Sequence, residues 1–268
     1  MSPTLSDDLD TPVPVRADPA RIVSLVPSLS ETLWWFRVAD RVVGVTDHCV
    51  APPHAFPDAV RVRGTKNVDV QAVIDLAPDV VLANREENRQ IDIERLREAG
   101  IAVYVTAPTT VDGVADSLVG VGEVVGAAGA GAGLAQSIRR AVAMLPDPAP
   151  LRTVCPVWRD PWMVTGRGTY AGDLLAHCGL AVVTGTDDDR YPETSLDELR
   201  ELDPDVVLLP DEPYAFGDED RAVFARWPAR VRTVDGTALT WWGPRTPHAL
   251  AEYTRLARSI RRRMARSA

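Results

Sequence analysis

The chain has 268 residues, 46% of them hydrophobic and 25% charged, with a formal net charge of −9 at neutral pH. These values are ordinary for one or two globular domains and exclude fibrous and disordered proteins. No apolar stretch approaches the ~18 residues of a membrane span, and an acidic surface is unsuited to a polyanion, so we expect neither a membrane span nor nucleic-acid binding.

The first 20 residues contain four prolines and no periodic pattern, which predicts a flexible arm over residues 1–20. The first ten positions lack the basic and apolar segments of a signal peptide. Cys49, Cys155 and Cys178 are too few and too widely spaced to suggest a disulfide framework. From these features we expect a reduced protein in the cytoplasm.

Short runs rich in Val and Ile alternate with helical patterns in the first half of the chain. This alternation is typical of βαβ units with a parallel sheet. The predicted strands are 21–27, 41–45, 79–83 and 102–105, and the predicted helices are 68–76 and 94–99.

The segment 110–145 shows no strand pattern, and its apolar spacing predicts two helices separated by the Gly-rich residues 126–133.

The final predicted helix ends in a run of arginines that suits the negative end of a helix dipole. We interpret this run as a solvated helix end, with a basic membrane anchor as the alternative. The remaining predicted strands are 153–157, 181–184, 205–209 and 231–234, and the remaining helices are 170–178, 195–202 and 247–265.

A short repeat relates the two halves. Residues 76–82 (LAPDVVL) recur as residues 202–208 (LDPDVVL), an offset of 126 (202 minus 76). The repeat predicts an α/β fold of two Rossmann-like lobes with parallel sheets, joined by a long helical bridge. The alternative, a common helix-to-strand junction used twice, stays open. The predicted boundaries are 21–125 for the first lobe, 126–148 for the bridging helix and 149–268 for the second lobe.

Loops at the carboxyl ends of parallel strands line the crevice in which α/β proteins bind ligands. In the first half, Ser28 and Glu31 have the spacing of a helix capping box. Asp47, His48 and Cys49 are candidate metal ligands, although adjacent residues in a loop point in different directions. The first-half candidates for ligand binding are Pro27, Ser28, Leu29, Glu31, Asp47, His48, Cys49, Lys66, Asn67, Asn84, Glu86 and Asn88.

Tryptophans gather in loops of the second half, and aromatic loops with a few polar groups are typical of a site for a large, flat ligand. Lys66 and Arg245 would orient a carboxylate or phosphate on such a ligand. The motifs of serine hydrolases, P-loop nucleotide binders and zinc proteases are absent, so we predict a protein that is not an enzyme. The second-half candidates are Trp158, Trp162, Tyr170, Glu212, Tyr214, Trp241, Trp242 and Arg245.

Over about residues 20–262 the sequence resembles the helical-backbone (class III) substrate-binding proteins of ABC importers, of the vitamin B12- and siderophore-binding type. The resemblance rests on RIVSLVPSLSETLWW, RVVGVTDHC, GTKNVDVQAVIDLAPDVVLANREENRQIDIERLREAGIAVYV, WRDPWMVTGRGTYAGDLLAHCGL and DVVLLPDEPYAF. It implies two lobes that clamp a corrinoid or another metal chelate, such as cobalamin or an iron chelate, with no required cofactor. It also implies an ABC importer permease as partner, with Glu86, Glu87 and Glu212 as acidic docking candidates, and a monomeric state.

A second interpretation from a different class stays open. The same scaffold would serve a cytoplasmic metal-handling protein or enzyme, with Asp47, His48 and Cys49 at its site. An organic chromophore in the absorption spectrum would favour the binding protein, whereas stoichiometric zinc or iron without an organic ligand would favour the metal-handling protein.

Overall fold

The computed structural model describes residues 4–266 of the chain. Within this range the α/β fold divides into two compact units. The first unit reaches Pro108 and includes Asp112–Ser137, whereas the second comprises Thr109–Val111 and the residues from Ile138 onward. Each unit contains a parallel sheet with helices, which confirms the predicted fold class. The predicted boundaries at residues 126 and 149 stay predictions.

The first described residues form a hairpin where the sequence predicts a flexible arm. Strand β1 (Thr4–Ser6) pairs antiparallel with β2 (Pro12–Pro14). The buried Asp7 carboxylate accepts a hydrogen bond from the Arg97 guanidinium at 2.8 Å. Proline cannot continue a helix but is tolerated in edge strands, so the proline content was misleading here. The flexible-arm prediction is wrong for the described part of this segment, and residues 1–3 lie outside it.

The first unit is built on a five-stranded parallel sheet of order β5-β4-β3-β6-β7. The fourth and fifth strands in this order are buried along their whole length. This is the expected pattern for a parallel sheet covered on both faces. The strands are β3 (Ile22–Ser24), β4 (Val42–Val45), β5 (Val60–Arg61), β6 (Val80–Asn84) and β7 (Val103–Thr106).

Helices follow the strands of the first unit, and two longer helices occupy the segment that the sequence predicts to be strand-free. The helices are α1 (Pro27–Trp35), α2 (Val70–Asp75), α3 (Gln90–Glu98), α4 (Val111–Val124) and α5 (Ala128–Ala143). The division between the two units falls within α5, after Ser137.

Helix α1 begins one residue before the predicted cap. Pro27 occupies the first helical position, and Val26 precedes it without a side-chain cap. Proline suits this position because its φ angle is already helical and it has no N–H group to leave unpaired. Ser28 therefore lies inside the helix, where its carbonyl accepts a hydrogen bond from the Thr32 hydroxyl at 2.8 Å. The predicted capping box of Ser28 and Glu31 is wrong.

The second unit contains a four-stranded parallel sheet of order β11-β8-β13-β14 and a three-stranded antiparallel sheet of order β12-β10-β9. The antiparallel strands have two or three residues each, too few to show a periodic pattern, so the sequence does not predict this sheet. The strands are β8 (Leu151–Val154), β9 (Pro156–Trp158), β10 (Trp162–Val164), β11 (Leu180–Val182), β12 (Glu193–Thr194), β13 (Val206–Pro210) and β14 (Arg230–Val234).

Five helices of the second unit lie within the described residues: α6 (Tyr170–His177), α7 (Leu196–Glu201), α8 (Asp218–Val223), α9 (Gly236–Thr240) and α10 (Thr246–Met264). The last is amphipathic, and it buries Leu250, Tyr253, Ala257 and Ile260 on one face at helical spacing. Among residues 4–266, no helix has both the length and the apolar character needed to cross a lipid bilayer.

The sequence repeat corresponds to the same local structure in both units. Strands β6 and β13 begin 126 residues apart (206 minus 80), and so do the preceding helices α2 and α7 (196 minus 70). In the first unit, Asp79 accepts a hydrogen bond from the Arg21 N–H at 3.0 Å. In the second, Asp205 accepts one from the Arg152 N–H at 2.8 Å. Each aspartate thus joins the start of its strand to a neighbouring strand.

Candidate ligand-binding site

The loop that follows β6 is organised by two buried asparagines. The Asn84 Oδ1 atom accepts a hydrogen bond from the Glu86 N–H at 2.8 Å, and its Nδ2 donates to the Thr106 hydroxyl at 3.2 Å. The Asn84 N–H in turn donates to Asn88 Oδ1 at 2.9 Å. Both asparagines are only 4% exposed. Their amides therefore shape the loop, although the sequence suggests them as ligand contacts.

Asn88 also joins this loop to two others at the same edge of the sheet. Its Nδ2 atom donates to the Leu25 carbonyl at 3.2 Å and to the Thr65 carbonyl at 3.1 Å. One side chain thus connects the loops that follow β3, β5 and β6. A buried amide without hydrogen-bond partners costs folding free energy. These bonds therefore hold the carboxyl edge of the first sheet in one arrangement.

Lys66 is exposed and lies beside the loop after β6, where its Nζ atom donates to the Glu86 carbonyl. The neighbouring Asn67 accepts a hydrogen bond from the Gly64 N–H at 3.0 Å through Oδ1. A Cβ atom at Gly64 would lie 2.6 Å from that oxygen, so a larger residue here would displace the Asn67 side chain from the Gly64 N–H. Asn67 is therefore used within its own turn, and Lys66 supplies the exposed positive charge.

Asp47, His48 and Cys49 do not converge. The Cys49 sulfur is buried, where it accepts a hydrogen bond from the Ser30 hydroxyl at 2.9 Å and lies 3.1 Å from Thr46 Oγ1. Burial raises the pKa of this thiol. Asp47 and His48 are exposed. Residues 4–266 contain no group of three or more His, Cys, Asp or Glu side chains placed to hold a metal ion, so the structure does not support a metal site at this loop.

The helix α1 loop contributes less accessible surface than the sequence suggests. Pro27, Ser28 and Leu29 are buried, and Glu31 is half-buried. Ser30, which the sequence interpretation passed over, is the buried hydroxyl that links this loop to Cys49. The signal available in the sequence was that Ser30 is a polar residue within a helix that begins shortly after a strand.

Aromatic rings line the loops of the second unit. Trp158 is 45% exposed, and its ring makes an edge contact with Tyr214 at 5.6 Å between centroids. Trp162 stacks on Phe216 at 6.0 Å with an interplanar angle of 9°. Tyr214 also packs against Phe216, at 4.6 Å. We call the half-buried and exposed rings of Trp158, Trp162 and Tyr214 the aromatic face.

An ion pair lies beside the aromatic face. The Arg159 guanidinium donates to the Asp220 carboxylate at 2.5 Å and lies 5.8 Å from the centre of the Trp162 ring. Burial raises the pKa of Asp220, but the Gly217 N–H and Arg159 outweigh it and hold that pKa below its usual value. Sequence analysis missed Arg159, Asp220 and the stacking Phe216; an aromatic residue two positions after Tyr214 was the available signal.

Three predicted site residues come together at the ends of the adjacent strands β13 and β14. The Trp241 indole N–H donates to Glu212 Oε1 at 2.7 Å. The Arg245 guanidinium lies 4.8 Å from the centre of the Trp241 ring and donates to the Thr237 hydroxyl at 2.8 Å. All three side chains are half-buried, so this group offers a ring, a carboxylate and a cation at the surface.

Tyr170 and Trp242 lie in the core of the second unit instead of on its surface. The Tyr170 hydroxyl shares a hydrogen bond with Thr246 Oγ1 at 2.9 Å, and burial raises the pKa of that hydroxyl. Trp242 is 6% exposed. Both residues flank turns in the sequence, where an aromatic side chain can equally face the loop or the core. Their placement does not support direct contact with a ligand.

The comparison with known families decides the identity of the fold. The model of the periplasmic binding protein family matches residues 22–226. The chain belongs to this family. Membership confirms the predicted resemblance, and it confirms the prediction of a binding protein rather than an enzyme.

The names of similar proteins refer to cobalamin, to vitamin B12 and to ABC transport. A cobalamin-binding protein of Halobacterium salinarum is 31% identical over 214 residues, which cover 76% of the chain and 58% of the relative. The match thus spans little more than half of that relative. An ABC transporter substrate-binding lipoprotein of Bacillus subtilis, named YvrC and described as uncharacterized, is 29% identical, with 96% and 85% covered. The periplasmic vitamin B12-binding protein of Vibrio cholerae has the same fold, with a TM-score of 0.79, 21% identity, and 91% and 98% covered.

These comparisons correct the expected compartment. The family is periplasmic by name and the Bacillus relative is a lipoprotein, so the prediction of a cytoplasmic protein is wrong. The physical reason is that Cys49, Cys155 and Cys178 are all buried, and burial raises the pKa of each thiol. A buried, protonated thiol is unreactive in any compartment, so unpaired cysteines do not report on location.

Proposed function

We propose that this protein binds a corrinoid of the vitamin B12 type, or a closely related metal chelate, for an ABC importer. The observation that carries the proposal is the aromatic face of Trp158, Trp162 and Tyr214 in the second unit. The names of the Halobacterium and Vibrio relatives support the same ligand class.

The aromatic face suits a large, flat ligand for energetic reasons. Fully burying one large side chain contributes roughly 1.5–3 kcal/mol, and these rings are already partly buried, so together they supply a part of the roughly 8 kcal/mol of a micromolar complex. Glu212, Trp241 and Arg245 add polar groups that can pair with amides or a phosphate on the ligand rim. A corrinoid carries its own metal, so the protein needs no metal-ligating cluster.

The proposed ligand contacts in the second unit are the aromatic face and its polar neighbours. They are Trp158, Trp162, Tyr214, Glu212, Trp241 and Arg245. The accessible candidates of the first unit, Glu31, Asp47, His48, Lys66 and Glu86, stay predictions of the sequence.

The ligand is cargo in this scheme and not a cofactor. The partner is an ABC importer permease, with Glu86, Glu87 and Glu212 as the docking candidates, and the binding protein acts as a monomer. Bound ligand would be released to the permease unchanged.

Native mass spectrometry of the freshly purified protein, followed by titration with cobalamin, haem and a ferric siderophore, tests the proposal. We expect a one-to-one complex with cobalamin that quenches tryptophan fluorescence, and weaker or no binding of the other two. Preference for haem or the siderophore would reassign the ligand within the metal chelates. Absence of binding to all three would contradict the proposal.

A further inference from the structure

The outer face of helix α10 carries a regular row of arginines. Arg255, Arg258 and Arg262 follow one another at spacings of three or four residues, which places them on one face of the helix, and Arg266 lies two residues beyond its end. All four are exposed, and together with Ser259 and Arg263 they line an open groove of about 440 Å³. We call these four residues the arginine stripe.

The fold of α10 does not depend on the arginine stripe. The opposite face supplies the packing, since Tyr253 and Ile260 are fully buried. One further arginine, Arg261, is tied to the unit through hydrogen bonds from Nη2 to the Ala149 carbonyl at 2.7 Å and to the Gly179 carbonyl at 2.8 Å. Arg261 thus has a role in positioning the helix, and the arginine stripe faces outward.

The helix dipole accounts for only part of the stripe. Its attraction for cations is confined to the last turn of a helix. Arg258 and Arg255 lie about one and two turns before the last turn of α10, which ends at Met264. The helix dipole therefore does not account for the basic residues at these two positions.

Positive charge extends beyond the stripe onto the neighbouring strand. Burial lowers the pKa of the Arg232 guanidinium, and the charges of Arg263, Arg221 and Arg230 lower it further. Like charges at this spacing repel one another, so their concentration costs folding free energy. On a chain with a net charge of −9, a local basic surface of this kind indicates an anionic partner.

We propose that the arginine stripe is a docking surface for an anionic lipid membrane. The 12 residues from Arg255 to Arg266 span about 16 Å, and the groove they line is open to solvent, so it does not enclose a small ligand. An extended layer of phosphates matches this geometry, because a guanidinium pairs with phosphate through two parallel hydrogen bonds. Each arginine at such a surface strengthens membrane binding by about fivefold.

Co-sedimentation with vesicles tests this proposal on the full chain. We expect binding to vesicles that contain phosphatidylglycerol, little binding to pure phosphatidylcholine, and loss of binding at high salt, where charges are screened within about 3 Å. The double variant Arg258→Gln/Arg262→Gln should weaken binding about 25-fold. Arg95→Gln/Arg200→Gln is the matched control, because it removes the same charge from exposed ends of α3 and α7 and should leave vesicle binding within about twofold of the parent.

Equal binding to both kinds of vesicle, equal losses in both double variants, or no binding would overturn the proposal. Binding to inorganic polyphosphate without binding to vesicles would also overturn it, in favour of a soluble polyanion. Cobalamin affinity, measured on the same variants, should equal that of the parent, so the outcome is independent of the proposed transport function.

Discussion

The carboxyl edges of the two parallel sheets are built from different chemistry. At the first, Asn84 and Asn88 bond to the backbone of the surrounding loops and are almost fully buried. In the second unit, Tyr214 after β13 and Trp158 and Trp162 of the β9–β10 hairpin, which follows β8 directly, present rings, with the Arg159–Asp220 ion pair beside them. The first edge is a polar network, and the second is an apolar surface.

This difference separates two ways in which a loop residue contributes. A buried amide is directional and fixes the loop, but its donors and acceptors are then occupied. An aromatic ring contributes through area, which is available to a ligand as long as the ring is exposed. We therefore expect substitutions at the first edge to change stability, and substitutions of exposed rings at the second to change affinity.

The neighbours Trp241 and Trp242 give the largest test of this difference. Trp242→Ala should lower the free energy of unfolding by about 3–5 kcal/mol, because it leaves a cavity at a position that is 6% exposed. Urea denaturation measures this loss. Trp241→Ala is the matched control, and it should destabilise much less while weakening ligand binding. If Trp242→Ala keeps the free energy of unfolding of the parent and loses only affinity for the ligand, Trp242 contacts the ligand despite its burial.

Asn88→Ala should have the next largest effect. It leaves the Leu25 and Thr65 carbonyls and the Asn84 N–H without their partner, which should cost roughly 1–3 kcal/mol of unfolding free energy. Asn67→Ala, which removes one exposed turn bond, is the control and should cost less. Thermal denaturation of both variants checks the order. A parent-like melting temperature for Asn88→Ala would show that the polar network does not hold the first edge.

Much of the fold follows from the sequence because Val-rich strands and periodic helices have strong patterns. The predicted strand at 205–209 became β13 (Val206–Pro210), and the helix at 247–265 became α10 (Thr246–Met264). The short strands β9, β10 and β12 were missed, because two or three residues cannot establish a period of two. The pairing of β10 with β12 also joins residues about 30 positions apart.

The candidate site was predictable to the level of loops but not of side chains. Loops after parallel strands follow from the strand pattern, which is why the sequence names Glu212, Trp241 and Arg245 as candidates. Their contacts with one another are a finding of the structure. Whether a loop residue faces solvent depends on what packs over it. Tyr170 is buried because α10 supplies Thr246 as its hydroxyl partner, and that contact joins residues 76 positions apart.

Trp158→Ala tests the aromatic face with a smaller effect. The ring is 45% exposed, so its removal should raise the dissociation constant for cobalamin about tenfold, or 1.4 kcal/mol, with little change in melting temperature. Trp35→Ala is a matched control, because Trp35 is 53% exposed at the end of α1 and belongs to neither carboxyl edge. Isothermal titration calorimetry on both variants measures the difference. Equal affinities would exclude Trp158 from the site.

Lys66→Ala should have the smallest effect, and it tests whether the first edge binds ligand at all. Lys66 is exposed and donates to the Glu86 carbonyl, so water and salt screen its charge. For an uncharged corrinoid we expect at most about a twofold change in affinity, and for an anionic chelate up to about fivefold. Titration of both ligand types at low and high salt separates the two cases, since only the anionic ligand should respond to salt. If Lys66→Ala lowers the affinity for the uncharged ligand more than Trp158→Ala does, the carboxyl edge of the first sheet, and not the aromatic face, is the principal binding surface.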